Sequence, residues 1–181
     1  MHLSSILSPV LLALASFTSQ CHAIPLSYEH LLELIEADIA VERITLATAK
    51  STNEGNIILN GPIVNAEITS VAAAITSAVV VLQGAVYTDV AQEDAIVAKI
   101  QEALDVRNQL ATVLVEKRQI FSKAGFRQAT VDSLGAVALA ILLSGPSFFD
   151  ALPDVHPQLV DVYHEATLNL EDAILEYSKM S

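Results

Sequence analysis

From Val90 to Ala124 the chain runs without a glycine or a proline. Over that run Ile96, Ile100, Leu104, Val113 or Leu114, and Phe121 recur at helical spacing and keep one face apolar. The face turns polar only around Arg107 and Asn108. No stretch of the chain alternates apolar and polar residues with a period of two, and no Asn-Gly turn joins two apolar runs as a hairpin. A long helix without competing strand signals restricts the chain to folds built of helices, and it predicts a third helix from Val90 to Ala124 with Thr88 or Asp89 as its cap.

The rest of the sequence supplies partners for that helix. A first helix is expected from about Tyr28 to Lys50, with Ser27 as N-cap and a stripe of Leu31, Leu34 or Ile35, Ile39 and Ile44. "STNEGN" and then "NGP" (Asn60 to Pro62) punctuate the chain, which places Pro62 in the first turn of a second helix ending near Leu82. The unbroken apolar stretches of that helix read as too short to span a bilayer. A fourth helix, roughly Thr130 to Leu143, carries "LGAVALAILL", apolar on nearly all sides and so expected to be enclosed by others. "SGP" is read as its end and "LPDVHP" as a joint. The last helix starts near Pro157 and shows amphipathic spacing from Leu159 to Tyr177. The expected fold is all-α, an antiparallel bundle of about five helices, one of them long.

Residues 1–23 have the layout of a secretory signal peptide, an apolar core from Ile6 to Phe17 followed by "SQCHA". Residues 24–181 are then one helical domain. The only cysteine, Cys21, leaves with the signal, so the mature chain would be held by packing without disulfides. With 9 Lys+Arg against 21 Asp+Glu, the net charge is −12. A polyanion is a poor partner for nucleic acid or anionic bilayers. No Asn-x-Ser/Thr sequon occurs, and no transmembrane segment is expected in the mature chain.

The scarce positive charge is concentrated in "LVEKRQIFSKAGFRQ", where Lys117, Arg118, Lys123 and Arg127 surround Phe121 and Phe126. Gly125 suits the left-handed residue after a helix end, and Lys123 complements the helix dipole. Lys117 and Arg118 lie too far back for that role. The segment "EKRQIFSKAGFRQATVDSL" resembles the fungal hydrophobic surface-binding protein A family, also described as antigenic cell-wall galactomannoproteins, with Lys117, Arg118, Phe121, Ala124 and Gly125 matching in order. "LIEADIAVERITLATA" and "ATLNLEDAILEYS" extend the likeness over nearly the whole mature chain. The resemblance implies a secreted helical bundle, extracellular or associated with the cell wall, that adsorbs to hydrophobic surfaces and brings lytic enzymes such as secreted hydrolases to them. Related domains are similar to fatty-acid carriers.

Signals for catalysis are missing. There is no Gly-x-Ser-x-Gly elbow, phosphate loop or HExxH. Asp161, His164 and Glu165 lack the matching carboxylates and second Glu-x-x-His of a di-iron bundle. The expectation is a non-enzymatic protein with no cofactor and no metal, whose partners are apolar surfaces or acyl lipids. Phe121, Leu134, Val137, Ile141 and Leu142, with Leu170 and Ile174, are expected to line an apolar space between helices, with Lys117 or Arg118 at a carboxylate headgroup. Small secreted helical bundles also serve as protein-interaction modules, inhibitors or effectors. Such a module would show an exposed apolar patch with a polar rim, where a carrier would show an enclosed void.

Overall fold

A computed structural model describes residues 27–82, 84–154 and 156–179, and the signal-peptide reading of residues 1–23 lies outside them. The described residues form six helices and no strand: α1 (Tyr28–Ser51), α2 (Ile57–Leu82), α3 (Val90–Glu116), the short α4 (Arg118–Lys123), α5 (Arg127–Ala151) and α6 (His156–Ser178). The protein is an all-α bundle, as the patterning predicts.

The five long helices alternate in direction along the chain, yet their packing does not follow chain order. Neighbours in space run α1, α2, α5, α6, α3 and back to α1, a closed ring. Hydrogen bonds set the register. On the α2–α5 seam the Thr130 hydroxyl donates to Asn65 Oδ1 (3.1 Å) and the Ser133 hydroxyl to the Asn65 carbonyl (3.2 Å). At the head of that seam the Phe126 ring lies over Gly61, where a Cβ would come within 2.6 Å of it. Small and hydroxylated residues are what allow these two helices to approach closely.

Both capping expectations hold. The Ser27 side chain accepts from His30 N, and Asp89 Oδ1 accepts from Ala91 N and Gln92 N at the start of α3. The α4 helix ends in a Schellman motif: Gly125, at φ +84°, donates to the Ser122 carbonyl, and Phe126 N donates to the Phe121 carbonyl at 2.9 Å. These bonds satisfy two carbonyls that a helix end would otherwise leave without partners.

Three boundaries differ from the sequence expectation. α2 begins five residues before Pro62, because an Asn53–Asn56 turn starts the helix at Ile57. α5 does not stop at "SGP" but continues through Pro146 to Ala151. In both cases the proline is exposed, and so is the residue four before it (Ile58 or Leu142). The carbonyl deprived of its N–H partner therefore lies on the water side, and the helix continues. By length and composition alone α2 and α5 are long and apolar enough to cross a membrane, a test that the core helix of a soluble protein also passes. The third difference is a break at Lys117, where φ −95° and ψ 5° end α3 and turn α4 across the end of the ring. α4 packs against α2, α3, α5 and α6 there, with Phe121 wholly buried beneath it.

Candidate functional site

A ring of five helices has a wider axis than a ring of four, and side chains must fill it. At the α4 end Phe121 does so, beside Leu114 and Tyr177, whose hydroxyl donates to the Leu114 carbonyl at 2.9 Å. Towards the other end the filling is incomplete. A cavity of about 200 Å³ lies among all five long helices.

Each helix contributes residues spaced to share one face. α1 supplies His30, Leu34, Ile35 and Asp38; α3 supplies Ile100, Ala103 and Arg107; α5 supplies Ile141, Ser144 and Phe148. α2 lines the cavity from Ala74 to Val80 and α6 through Tyr163. The walls are mostly aliphatic. Thr76 and Ser77 turn their hydroxyls back to the Ala72 and Ala73 carbonyls of their own helix. The lining includes the exposed Thr76 and Val80, so the cavity reaches the surface along the C-terminal turns of α2.

Its polar side is a buried charge cluster. Arg107 Nε donates to Glu42 Oε1 and Nη2 to Asp38 Oδ2, both at 2.5 Å. Glu42 is fully buried and its Oε2 has no hydrogen-bond partner. Arg107 also lines a second, much smaller void of about 10 Å³ with Ile68, Val71, Leu110, Leu134, Val137 and Leu170. It therefore forms a partition on the bundle axis.

Two carboxyl groups share one guanidinium here, away from water. Burial pushes the Glu42 carboxyl up to about 8; Arg107 opposes that rise and the neighbouring Asp38 adds to it. Burial also raises Asp38, against the pull of Arg107. Tyr163 stands beside the Ser144 hydroxyl, and burial pushes its hydroxyl well above the usual tyrosine range. Its ring meets Phe149 edge-on at 5.6 Å, which holds it against the wall.

The raised carboxyls give stability a definite sign with pH. The folded protein holds a proton on Glu42 that the unfolded chain releases near the ordinary carboxylate pKa, and the raised Asp38 works in the same direction. Stability is therefore full in acid, and it falls as pH rises towards 8. Glu176, lowered by its bond to Lys179, works in the opposite direction but is partly exposed and counts for less. Between pH 5 and 8 the melting temperature should drop by roughly 5–10 °C, on the order of 2–3 kcal/mol. Glu42→Gln should flatten the profile. An unchanged pH slope in that variant would remove Glu42 as its source.

The residues expected to line one apolar space are divided among three places. Ile141 lines the larger cavity, while Leu134, Val137 and Leu170 line the small void beyond Arg107. Phe121 and Ile174 line neither. Leu142 faces outward and is 63% exposed. Lys117 and Arg118 sit at the opposite end of the ring, not at the mouth of the cavity. Lys117 Nζ donates to the Thr52 carbonyl just past α1, and Arg118 Nη1 to the Val115 carbonyl. From Thr52 back to Asp38 is about 20 Å along a helix axis. The cation that does meet the cavity is Arg107. The sequence signal for it is the polar interruption it makes in the apolar stripe of α3, matched by Asp38 and Glu42 one helical turn apart on α1.

Fold and site together define an all-α bundle with an internal, mostly apolar cavity bearing one cluster of buried charge. Compared with known proteins, the sequence matches no family model and no curated protein.

Proposed function

We propose that the protein is a secreted, non-enzymatic binder that encloses a small apolar or acyl-type molecule within its helical ring. The observation that carries this reading is the cavity of about 200 Å³ walled by all five long helices. Burying apolar surface there gains about 0.8 kcal/mol per methylene, which supports useful affinity without a large interface. The likeness of "EKRQIFSKAGFRQATVDSL" to hydrophobic surface-binding proteins supports the same reading.

Native mass spectrometry of the secreted chain, followed by organic extraction, tests the proposal directly. A stoichiometric small amphiphile or acyl compound is the expected result. Ala103→Phe should fill the cavity and lower the captured fraction at least tenfold while the helical circular dichroism is retained. A chain that stays free of ligand after incubation with such compounds would overturn the proposal.

A second reading rests on the outer faces of α2 and α5. Ile58, Leu59, Ile63, Leu139, Leu142 and Leu143 are all large, apolar and exposed, and α2 carries a single charged residue, Glu67. An acidic protein with such a face is suited to adsorb on neutral waxes, polyesters or lipid surfaces rather than on anionic ones. This reading accommodates the recruitment of secreted hydrolases to an apolar surface that the resemblance implies.

A further inference from the structure

The volume of the cavity and its unused hydrogen-bonding capacity restrict what it can hold. An apolar protein cavity of about 150 Å³ accepts benzene. About 200 Å³ therefore holds roughly eight carbons within its walls by the same proportion, and a longer acyl chain would have to leave along the opening at α2. Tyr163, Phe148 and Ile141 close the space around such a body.

The polar side offers both kinds of hydrogen-bonding group. Arg107 has five N–H groups. Nε donates to Glu42 and Nη2 to Asp38, and Nη1 has no acceptor among the described residues. Asp38 is the acceptor on the same wall, and the Tyr163 hydroxyl lies beside Ser144. An added anion gains little here, since Arg107 Nε and Nη2 are already committed to two carboxyl groups. A ligand carboxylate would bring a third acid to one buried guanidinium and would stand against Asp38. A hydroxyl accepts from Arg107, donates to Asp38, and brings no charge that burial must desolvate.

We propose that the cavity selects a small neutral amphiphile bearing one hydroxyl group, a medium-chain alcohol or a phenol of about eight carbons, with that hydroxyl placed between Arg107 and Asp38. This selectivity rests on the reading that the cavity is a binding site. It discriminates against the carboxylate of the same length, so the ligand is an alcohol rather than a fatty acid.

Isothermal titration of the full mature chain at pH 7 with 1-octanol and with octanoate tests this. Octanol should bind at least tenfold more tightly. Asp38→Asn, which keeps the shape and removes one acid, should raise octanoate affinity about tenfold and so narrow the preference for octanol. Binding of octanoate as tight as octanol, by wild-type protein, would leave the cavity a binding site and overturn the hydroxyl selectivity. Binding of neither probe would overturn the cavity reading itself and this inference with it. If Asp38→Asn fails to fold, the wild-type comparison of the two probes still decides.

Discussion

Replacing Arg107 with methionine should destabilise the protein by about 3–5 kcal/mol at pH 7, the usual cost of breaking a buried ion pair from one side. Arg107 is 8% exposed and Glu42 not at all, so Glu42 cannot recover its lost partner from water. The cost should shrink at pH 5, where the Asp38 carboxyl, raised by burial and no longer pulled down by Arg107, can take up a proton and lose its unpaired charge. Removing the acids as well should restore most of the stability. The triple variant Arg107→Met, Asp38→Asn, Glu42→Gln exchanges the charged cluster for neutral groups of similar size, a replacement that buried ion pairs often tolerate. Urea denaturation at both pH values measures these differences. A loss under 1 kcal/mol for Arg107→Met at pH 7 would show that the cluster does not hold α1 to α3. Strong coupling among the three positions would confirm that they act as a unit.

A second large effect is expected at the far end of the ring. Phe121→Ala should cost about 3–5 kcal/mol, since the side chain is wholly buried where α4 crosses the bundle. The Schellman bond from Phe126 N to the Phe121 carbonyl is made by backbone and should survive. Because Phe121 lines neither cavity, ligand affinity should remain within about twofold once the folded fraction is taken into account. Denaturation and calorimetry on the same preparation separate the two quantities. A tenfold loss of affinity in the folded variant would mean that the apolar channel extends to α4, returning Phe121 to the binding site where the sequence pattern placed it. The same pair of measurements on Ile141→Ala should show the opposite division, with affinity changed along with stability.

The cation-rich segment around Phe121 has a structural account in this fold. Lys117 holds the end of α1 through the Thr52 carbonyl, and Gly125 reverses the chain with its positive φ. Arg118 caps the Val115 carbonyl and stands 3.9 Å from Glu176, and Arg127 donates to the Ser178 carbonyl at 2.9 Å. Helix ends place several unpaired carbonyls together at this end of the ring, and cations satisfy them. Charge clustering was visible in the residue order, but the carbonyls it serves come from α1, α3 and α6. No local reading could bring those together.

Helical periodicity, caps and turn residues are local properties, and they were sufficient to determine an all-α chain, the starts of α1 and α3, and the reversal at Gly125. The persistence of α2 and α5 through Pro62 and Pro146 was not local. It depends on which face of each helix meets water, since an exposed carbonyl without its partner is solvated and a buried one is not. The ring order was likewise decided in three dimensions, because α2 and α3 follow each other in the chain without packing together as neighbours. The site followed from that order: Asp38, Glu42 and Arg107 meet only when α1 lies against α3, and the cavity exists only because five helices close around an axis that their side chains incompletely fill. Sequence determined the faces; the closing of the ring determined what those faces enclose.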